Sequence, residues 1–141
     1  MPAKSAASST DTHAFWIEER VRFTDLDLQG HVNNTAFNIY AESVRTAFFH
    51  EVGLLQLGGP RQNVVARFEM DYLREVRYPA VLRIGLRVLN IGTRSFLLGI
   101  DIFEGGTCVA NALTTMVRWD REARGSTPLT GEEKTILTRY M

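Results

Sequence analysis

The stretch Phe23-Thr24-Asp25-Leu26-Asp27-Leu28-Gln29-Gly30-His31-Val32-Asn33-Asn34 separates two segments of different periodicity, and that change of period decides the fold. Before it, Phe15, Ile17, Val21 and Phe23 stand against Glu18, Arg20 and Arg22 in mostly strand-like alternation. After it, Phe37, Tyr40, Ala41, Val44, Ala47, Phe48 and Val52 recur at steps of three and four. That spacing predicts an amphipathic helix. Asn33 or Asn34 can cap its first turn by accepting from a free backbone N–H, and Gly53 ends it where helices commonly end.

Beyond the turn cluster Leu57-Gly58-Gly59-Pro60 the period returns to two, near residues 63–74, 80–91, 94–103 and 107–119. The breaks between these segments are short and carry turn residues: Tyr78-Pro79, Asn90-Ile91-Gly92 and Glu104-Gly105-Gly106. Short connections predict an antiparallel meander of long strands. From Arg121 the chain turns polar, and 130–140 reads as a short helix or a tail. Strand, long helix, four long strands is an α+β layer pair. One helix cannot cover both faces and the edges of five long strands, and an open edge invites self-pairing. A homodimer with a continuous sheet, or a homotetramer made by doubling it, is therefore expected.

The chain has 141 residues, 45% of them hydrophobic and 23% charged, which fits one domain with a core of its own. Chain-wide disorder and low-complexity classes are excluded. Sixteen basic residues balance sixteen acidic ones, so no net field draws the protein to nucleic acid or an anionic membrane. The arginines at 61, 67, 74, 77, 83, 87 and 94 read as a solvated strand face. Cys108 is the only cysteine, which excludes an intramolecular disulfide and a cysteine-rich metal cluster; its alternating surroundings make it a small buried hydrophobe. No run of 18 apolar residues is present, so no membrane span is expected. Residues 1–13 read as a disordered Ala/Ser/Thr-rich tail without signal-peptide character, 14–141 as a single domain, and the location as cytoplasmic.

Chemistry concentrates in residues 25–34, with two carboxylates, one imidazole and two carboxamides at a helix N-terminus. Such a terminus offers unpaired N–H groups and partial positive charge. That favours a carbonyl oxygen becoming an oxyanion, as in acyl transfer. A carboxylate on the preceding loop can attack the polarised carbonyl or deprotonate a water. The plainer reading is turn chemistry, with both carboxylates bonded to nearby N–H groups. Asp25, Asp27 and His31 match no standard metal-ligand spacing, and no metal is expected.

These residues resemble the hot dog-fold thioesterases of the 4-hydroxybenzoyl-CoA thioesterase type. That family carries an aromatic, then D-x-D-x-x-G-H-V-N-N, an aromatic three residues on, and E-x-x-R along the helix. Here Phe23, residues 25–34, Phe37 and Glu42-Ser43-Val44-Arg45 take those places, and the order of elements matches from 15 to 120. The resemblance implies a hot dog fold, one long central helix wrapped by an antiparallel five-stranded sheet. It implies that Asp27 is the catalytic carboxylate and that the backbone N–H of Asn34 polarises the thioester carbonyl. A sibling branch has histidine where Asn34 stands, so no role of that side chain follows. His31 is placed at the rim of the site or as a loop-bonded structural histidine. Phe37, where tyrosine is commoner, lines the substrate. Arg94 and Ser95 fall on a turn resembling the segment that reaches the neighbouring subunit's site, where Arg94 can meet a CoA phosphate or be a plain hairpin arginine.

The function implied is an acyl-CoA thioesterase needing no cofactor, with Asp27 as general base or nucleophile. The acyl group is expected to lie along the helix against Phe37, Tyr40 and Val44. Thioesterases acting on acyl carrier protein share H-V-N-N with an aspartate four residues before the histidine, again Asp27, so the carrier is open. A hydratase of the same fold needs a different carboxylate–histidine spacing from that of Asp25, Asp27 and His31. A non-catalytic acyl-ligand binder is the reading from another class, and its sign, loss of the carboxylate, is absent because Asp27 is present.

Overall fold

A computed structural model of the chain describes residues 13–141. Its elements are β1 (Phe15–Arg20), a single 3₁₀ turn (Phe23–Asp25), α1 (Asn34–Glu51), β2 (Arg61–Tyr72), β3 (Val81–Ile91), β4 (Ser95–Glu104), β5 (Thr107–Asp120), β6 (Gly125–Ser126) and α2 (Gly131–Thr138). The sheet is antiparallel, in the order β1-β3-β4-β5-β2, with two-residue β6 added to β5. The expected five long strands are therefore present, and β6 is a sixth that two residues could not announce. Residues 1–12 of the expected tail lie outside the described residues. His13 belongs to the folded domain: it is 8% exposed, and its Nε2 lies 2.6 Å from Asp101 Oδ2.

Strand alternation sends Phe96, Leu98, Ile100 and Ile102 of β4 to one face, with Leu82, Ile84 and Leu86 of β3 beside them. Against that face α1 lays Ala36, Phe37, Tyr40, Ala41, Val44, Phe48 and Phe49, all buried. The helix packs chiefly on β3 and β1. It ends as expected, with Gly53 at φ +78° just past its last turn. β2 pairs with β5 alone among the described residues, so its outer edge is open, and Val64 and Val65 are 39% and 43% exposed. No helix of the described residues is long and apolar enough to cross a membrane.

After residue 120 the chain forms β6 and then α2, so the stretch 130–140, expected as a short helix or a tail, is the helix. Thr130 caps α2, with its side chain accepting from Glu133 N–H while Glu133 reaches back to Thr130 N–H. Tyr140 closes this end against Phe48, ring centroids 5.0 Å apart.

Candidate active site

The loop between β1 and α1 is shaped by its own polar groups. Gly30 lies at φ +80°, a conformation glycine adopts freely, and its N–H donates to the Asp27 carbonyl at 3.1 Å. The resulting turn carries the N–H groups of Gln29 and His31 onto Asp27 Oδ1, at 2.8 and 3.1 Å. Asp27 N–H in turn donates to the His31 carbonyl at 2.8 Å. One carboxylate oxygen is thus fixed twice, and no described residue donates to the other, Oδ2.

Asp25 serves another purpose. Its Oδ2 accepts the Tyr40 phenol at 2.6 Å and the Arg22 N–H at 2.9 Å, and its carbonyl accepts Asn33 N–H at 2.8 Å. Burial first, and then the bonded Asp25 carboxylate, push the Tyr40 pKa well above that of an ordinary phenol. Tyr40 therefore stays protonated and tethers the loop to the helix. The two carboxylates point to different partners, and no cluster able to hold a metal ion occurs among the described residues.

Asn33, not Asn34, caps α1: its Oδ1 accepts the N–H and the hydroxyl of Thr35, both at 2.9 Å. Asn34 is the first helical residue, and no described residue accepts its N–H. That is the normal state of a first-turn donor and leaves it available to a ligand oxygen, with the partial positive charge of the helix end behind it.

These groups converge on a cleft of about 310 Å³, lined by Asp27, His31, Val32, Asn34, Phe37 and residues 72–75. Phe37 meets Tyr72 and Tyr40 edge-on, at centroid distances of 5.7 and 5.9 Å. His31 Nε2 lies 3.3 Å from Glu75 Oε2, and Arg77 stands 3.8 Å from the same oxygen. The histidine thus works through its backbone on Asp27 and through its ring on the far wall.

Of the residues expected at the site, Asp27, Asn34, His31 and Phe37 come together. Arg94 and Ser95 do not join them within one chain: Arg94 Nη1 donates to the Ser126 carbonyl at 2.6 Å, and Ser95 pairs with Val117. Tyr40 and Val44, expected against the acyl group, are 1% and 0% exposed. They lie on the stripe of α1 that meets the sheet, so the cleft opens at Asn34 and Phe37 instead. Tyr72, Arg74 and Glu75 are cleft residues that the sequence reading missed. Their only local signal was a charged run at the end of a strand, which matches a solvated face equally well. Cys108 is no rival nucleophile, since burial first and then the Asp101 charge raise its thiol pKa to about 11, while its Sγ lies 3.4 Å from the Ala110 carbonyl.

With this geometry in view, residues 21–135 match the Thioesterase-like superfamily. The chain belongs to that superfamily. Among similar proteins, the uncharacterized YsmA of Bacillus subtilis (strain 168) is 32% identical over 126 residues, covering 88% of this chain and 85% of its own. A thioesterase of Thermus thermophilus, solved in complex with coenzyme A and Zn, is 30% identical with a TM-score of 0.81, over 92% of this chain and 96% of that one. The PA5185 protein of Pseudomonas aeruginosa PAO1 shares the fold at 23% identity, with a TM-score of 0.84 over 93% and 94%. This superfamily member is thus a hot dog-fold protein with a general thioesterase role.

Proposed function

We propose that the protein is an acyl-CoA thioesterase of the 4-hydroxybenzoyl-CoA thioesterase type, converting an acyl-CoA and water to the free acid and CoA. The observation that carries this reading is one cleft holding both a half-satisfied carboxylate, Asp27, and an unpartnered helix N-terminal N–H, Asn34. The thioester carbonyl oxygen binds Asn34 N–H, which with the helix end stabilises the oxyanion as it forms. Asp27 Oδ2 takes a proton from the attacking water, and the C–S bond breaks to release the CoA thiolate. In the nucleophilic variant Asp27 attacks the carbonyl itself, and water then opens the acyl-aspartyl anhydride. His31 and Gly30 are positioning residues that hold Asp27 through backbone bonds. Phe37 and Tyr72 give the acyl group an aromatic wall, and Arg74 and Arg77 stand near the rim where an anionic carrier arrives. The coenzyme A in the Thermus thermophilus relative supports the choice of carrier. The single cysteine suits a reducing compartment, and a cytoplasmic location is part of the proposal.

Thiol release from a panel of acyl-CoAs, aliphatic of increasing length and aromatic, tests this directly. Turnover of at least one with saturation is expected; no release from any member overturns the reading. A higher kcat/KM on the same acyl group carried by acyl carrier protein would reassign the carrier and keep the reaction.

Arg94 and Ser95 are proposed to serve the site of a neighbouring subunit. Arg94→Ala is expected to raise KM for acyl-CoA by about 10-fold, the worth of one charge-assisted hydrogen bond, with kcat little changed. An unchanged KM would leave Arg94 as the brace on Ser126 alone.

A further inference from the structure

A second cleft, which no step of the reaction above uses, opens where β1 runs out and β3 begins. It holds about 550 Å³ and is lined by residues 20–23 and 78–81. Val21 N–H donates to the Ala80 carbonyl at 2.9 Å, which carries the β1–β3 pairing one residue past the strand. Val21 is 2% exposed, so strand alternation turns Arg20 and Arg22 outward. Phe23 and Tyr78 meet edge to face, with ring centroids 6.0 Å apart and planes at 89°. The two rings are 75% and 50% exposed, and Val81 beside them 48%. One exposed apolar side chain is ordinary, but three gathered on a concave surface leave apolar area that a ligand can bury. Arg20 and Arg22 are exposed and join no ion pair among the described residues. No acidic side chain of the described residues lines the cleft.

We propose that this cleft binds a phosphate-bearing purine nucleotide, with the base against Phe23 and Tyr78 and the phosphate on Arg20 and Arg22. The chemistry of the walls selects that class. A flat base gains by stacking on aromatic rings, and a guanidinium offers paired donors to phosphate. An acyl chain would use the rings and leave the arginines idle, and a bare anion would do the reverse. A polynucleotide needs a broad positive field, and this chain balances 16 basic against 16 acidic residues. The position of the cleft gives the nucleotide a purpose. Val32 N–H donates to the Val76 carbonyl at 2.8 Å and His31 bridges to Arg77, so the segment 75–78 runs beside the Asp27 loop. Glu75 lines the Asp27 cleft and Tyr78 the second one, and three extended residues span at most about 11 Å. A ligand with its acyl group at Asp27 and its nucleotide at Phe23 needs only a flexible arm across Arg77, which is the build of an acyl-CoA. Assigning the nucleotide to the substrate rests on the thioesterase reading. A free nucleotide is the other source, and the binding site itself stands without the reaction.

Calorimetric titration of the full-length protein with adenosine 3′,5′-bisphosphate reads the site without any turnover. Saturable binding is expected, and Tyr78→Ala and Arg20→Ala are each expected to weaken it about 10-fold, the worth of one stacked ring or one charge-assisted phosphate contact. Tyr78→Phe keeps the ring and is expected to bind as the wild type does. Tyr78 and Arg20 are exposed, so native melting temperatures are expected for all three variants. If Tyr78→Ala melts abnormally, Arg20→Ala decides alone: weakened binding supports the site and unchanged binding overturns it. Lack of saturation at millimolar ligand, inorganic phosphate binding as tightly as the nucleotide, or well-folded alanine variants that bind like the wild type also overturn it. The source of the nucleotide is read from KM for one acyl group carried on CoA and on pantetheine. Tyr78→Ala is expected to raise KM for the CoA ester about 10-fold and to leave that for the pantetheine ester unchanged. Weakened nucleotide binding with both KM values unchanged supports the site and assigns it to a free nucleotide. A wild type that binds the bisphosphate and hydrolyses neither ester supports this site and overturns only the thioesterase reading.

Discussion

Asp27→Asn is expected to lower kcat for thioester hydrolysis by about 10²-fold or more, the lower end of what a positioned base supplies. The substitution keeps an Oδ1 that can accept from Gln29 and His31 N–H, at 2.8 and 3.1 Å in the wild type, and asparagine suits such a turn. It deletes only the charge on Oδ2, the oxygen no described residue engages. Melting temperature and oligomeric mass are therefore expected to hold. A purely structural Asp27 makes the opposite prediction, with lower stability and full turnover per folded molecule. Asp25→Asn supplies the internal contrast. Its Oδ2 anchors Tyr40 and the Arg22 N–H, so neutralising it weakens two charge-assisted bonds, and stability falls while turnover falls less than in Asp27→Asn. Both kcat and melting temperature on the same preparations separate the cases. A well-folded Asp27→Asn protein with undiminished turnover would falsify the mechanism and favour a ligand-binding role.

The contrast between these two aspartates shows what the sequence could disclose. The change of period around 23–34 was legible because strand and helix impose different spacings on the same apolar residues. Asp27, His31, Asn34 and Phe37 were legible because they share one loop and one helical turn, where sequence distance and spatial distance nearly agree. Asp25 and Asp27 share one D-x-D pattern in which only the family resemblance singles out Asp27; the packing of α1 brings Tyr40 back onto Asp25 Oδ2, while Asp27 is held through Oδ1 alone by its own loop. Tyr72, Arg74 and Glu75 were not legible because the pairing of β2 with β5, not any local pattern, brings that wall to the cleft. Tyr40 and Val44 carry the right chemistry for an acyl wall and occupy the wrong stripe of α1. Helical periodicity gives a buried face and does not say whether a sheet or a substrate buries it. Of the seven arginines between 61 and 94 read as a solvated strand face, Arg67, Arg74, Arg77, Arg83 and Arg94 are exposed, while Arg61 is half-buried and tied to Glu133 at 2.6 Å, a contact that depends on strand order.

The largest stability effect is expected at Glu133, in a segment that sequence reading left undecided between helix and tail. Arg118 is 1% exposed, with Nη2 at 2.5 Å from Glu133 Oε2 and Nη1 donating to Asn63 Oδ1 at 2.9 Å, while its Nε finds no hydrogen-bond partner among the described residues. Arg61 and the Thr130 N–H bind the other Glu133 oxygen at 2.6 and 2.9 Å. Burial works to raise the Glu133 pKa, but the hydrogen bonds from Arg61, Thr130 and Arg118 outweigh it and hold the carboxyl below its ordinary value. Glu133→Gln preserves the capping box, since glutamine serves at that position. It therefore isolates the loss of charge beneath a buried arginine. Removing one partner of a buried pair costs about 3–5 kcal/mol, so the melting temperature at pH 7 should fall by roughly 10 °C or more. The sign of the pH dependence follows from the lowered folded pKa. The carboxylate's contribution is complete above the unfolded value of about 4.3, and is lost as pH falls through the lower folded one. The wild type should lose stability across that acid range, and Glu133→Gln should lose less, so the two melting curves converge at low pH. Adding Arg118→Met to Glu133→Gln removes the stranded cation and should recover much of the loss at pH 7. A Glu133→Gln protein melting within about 2 °C of wild type at pH 7 would mean that water, not Glu133, carries the Arg118 charge.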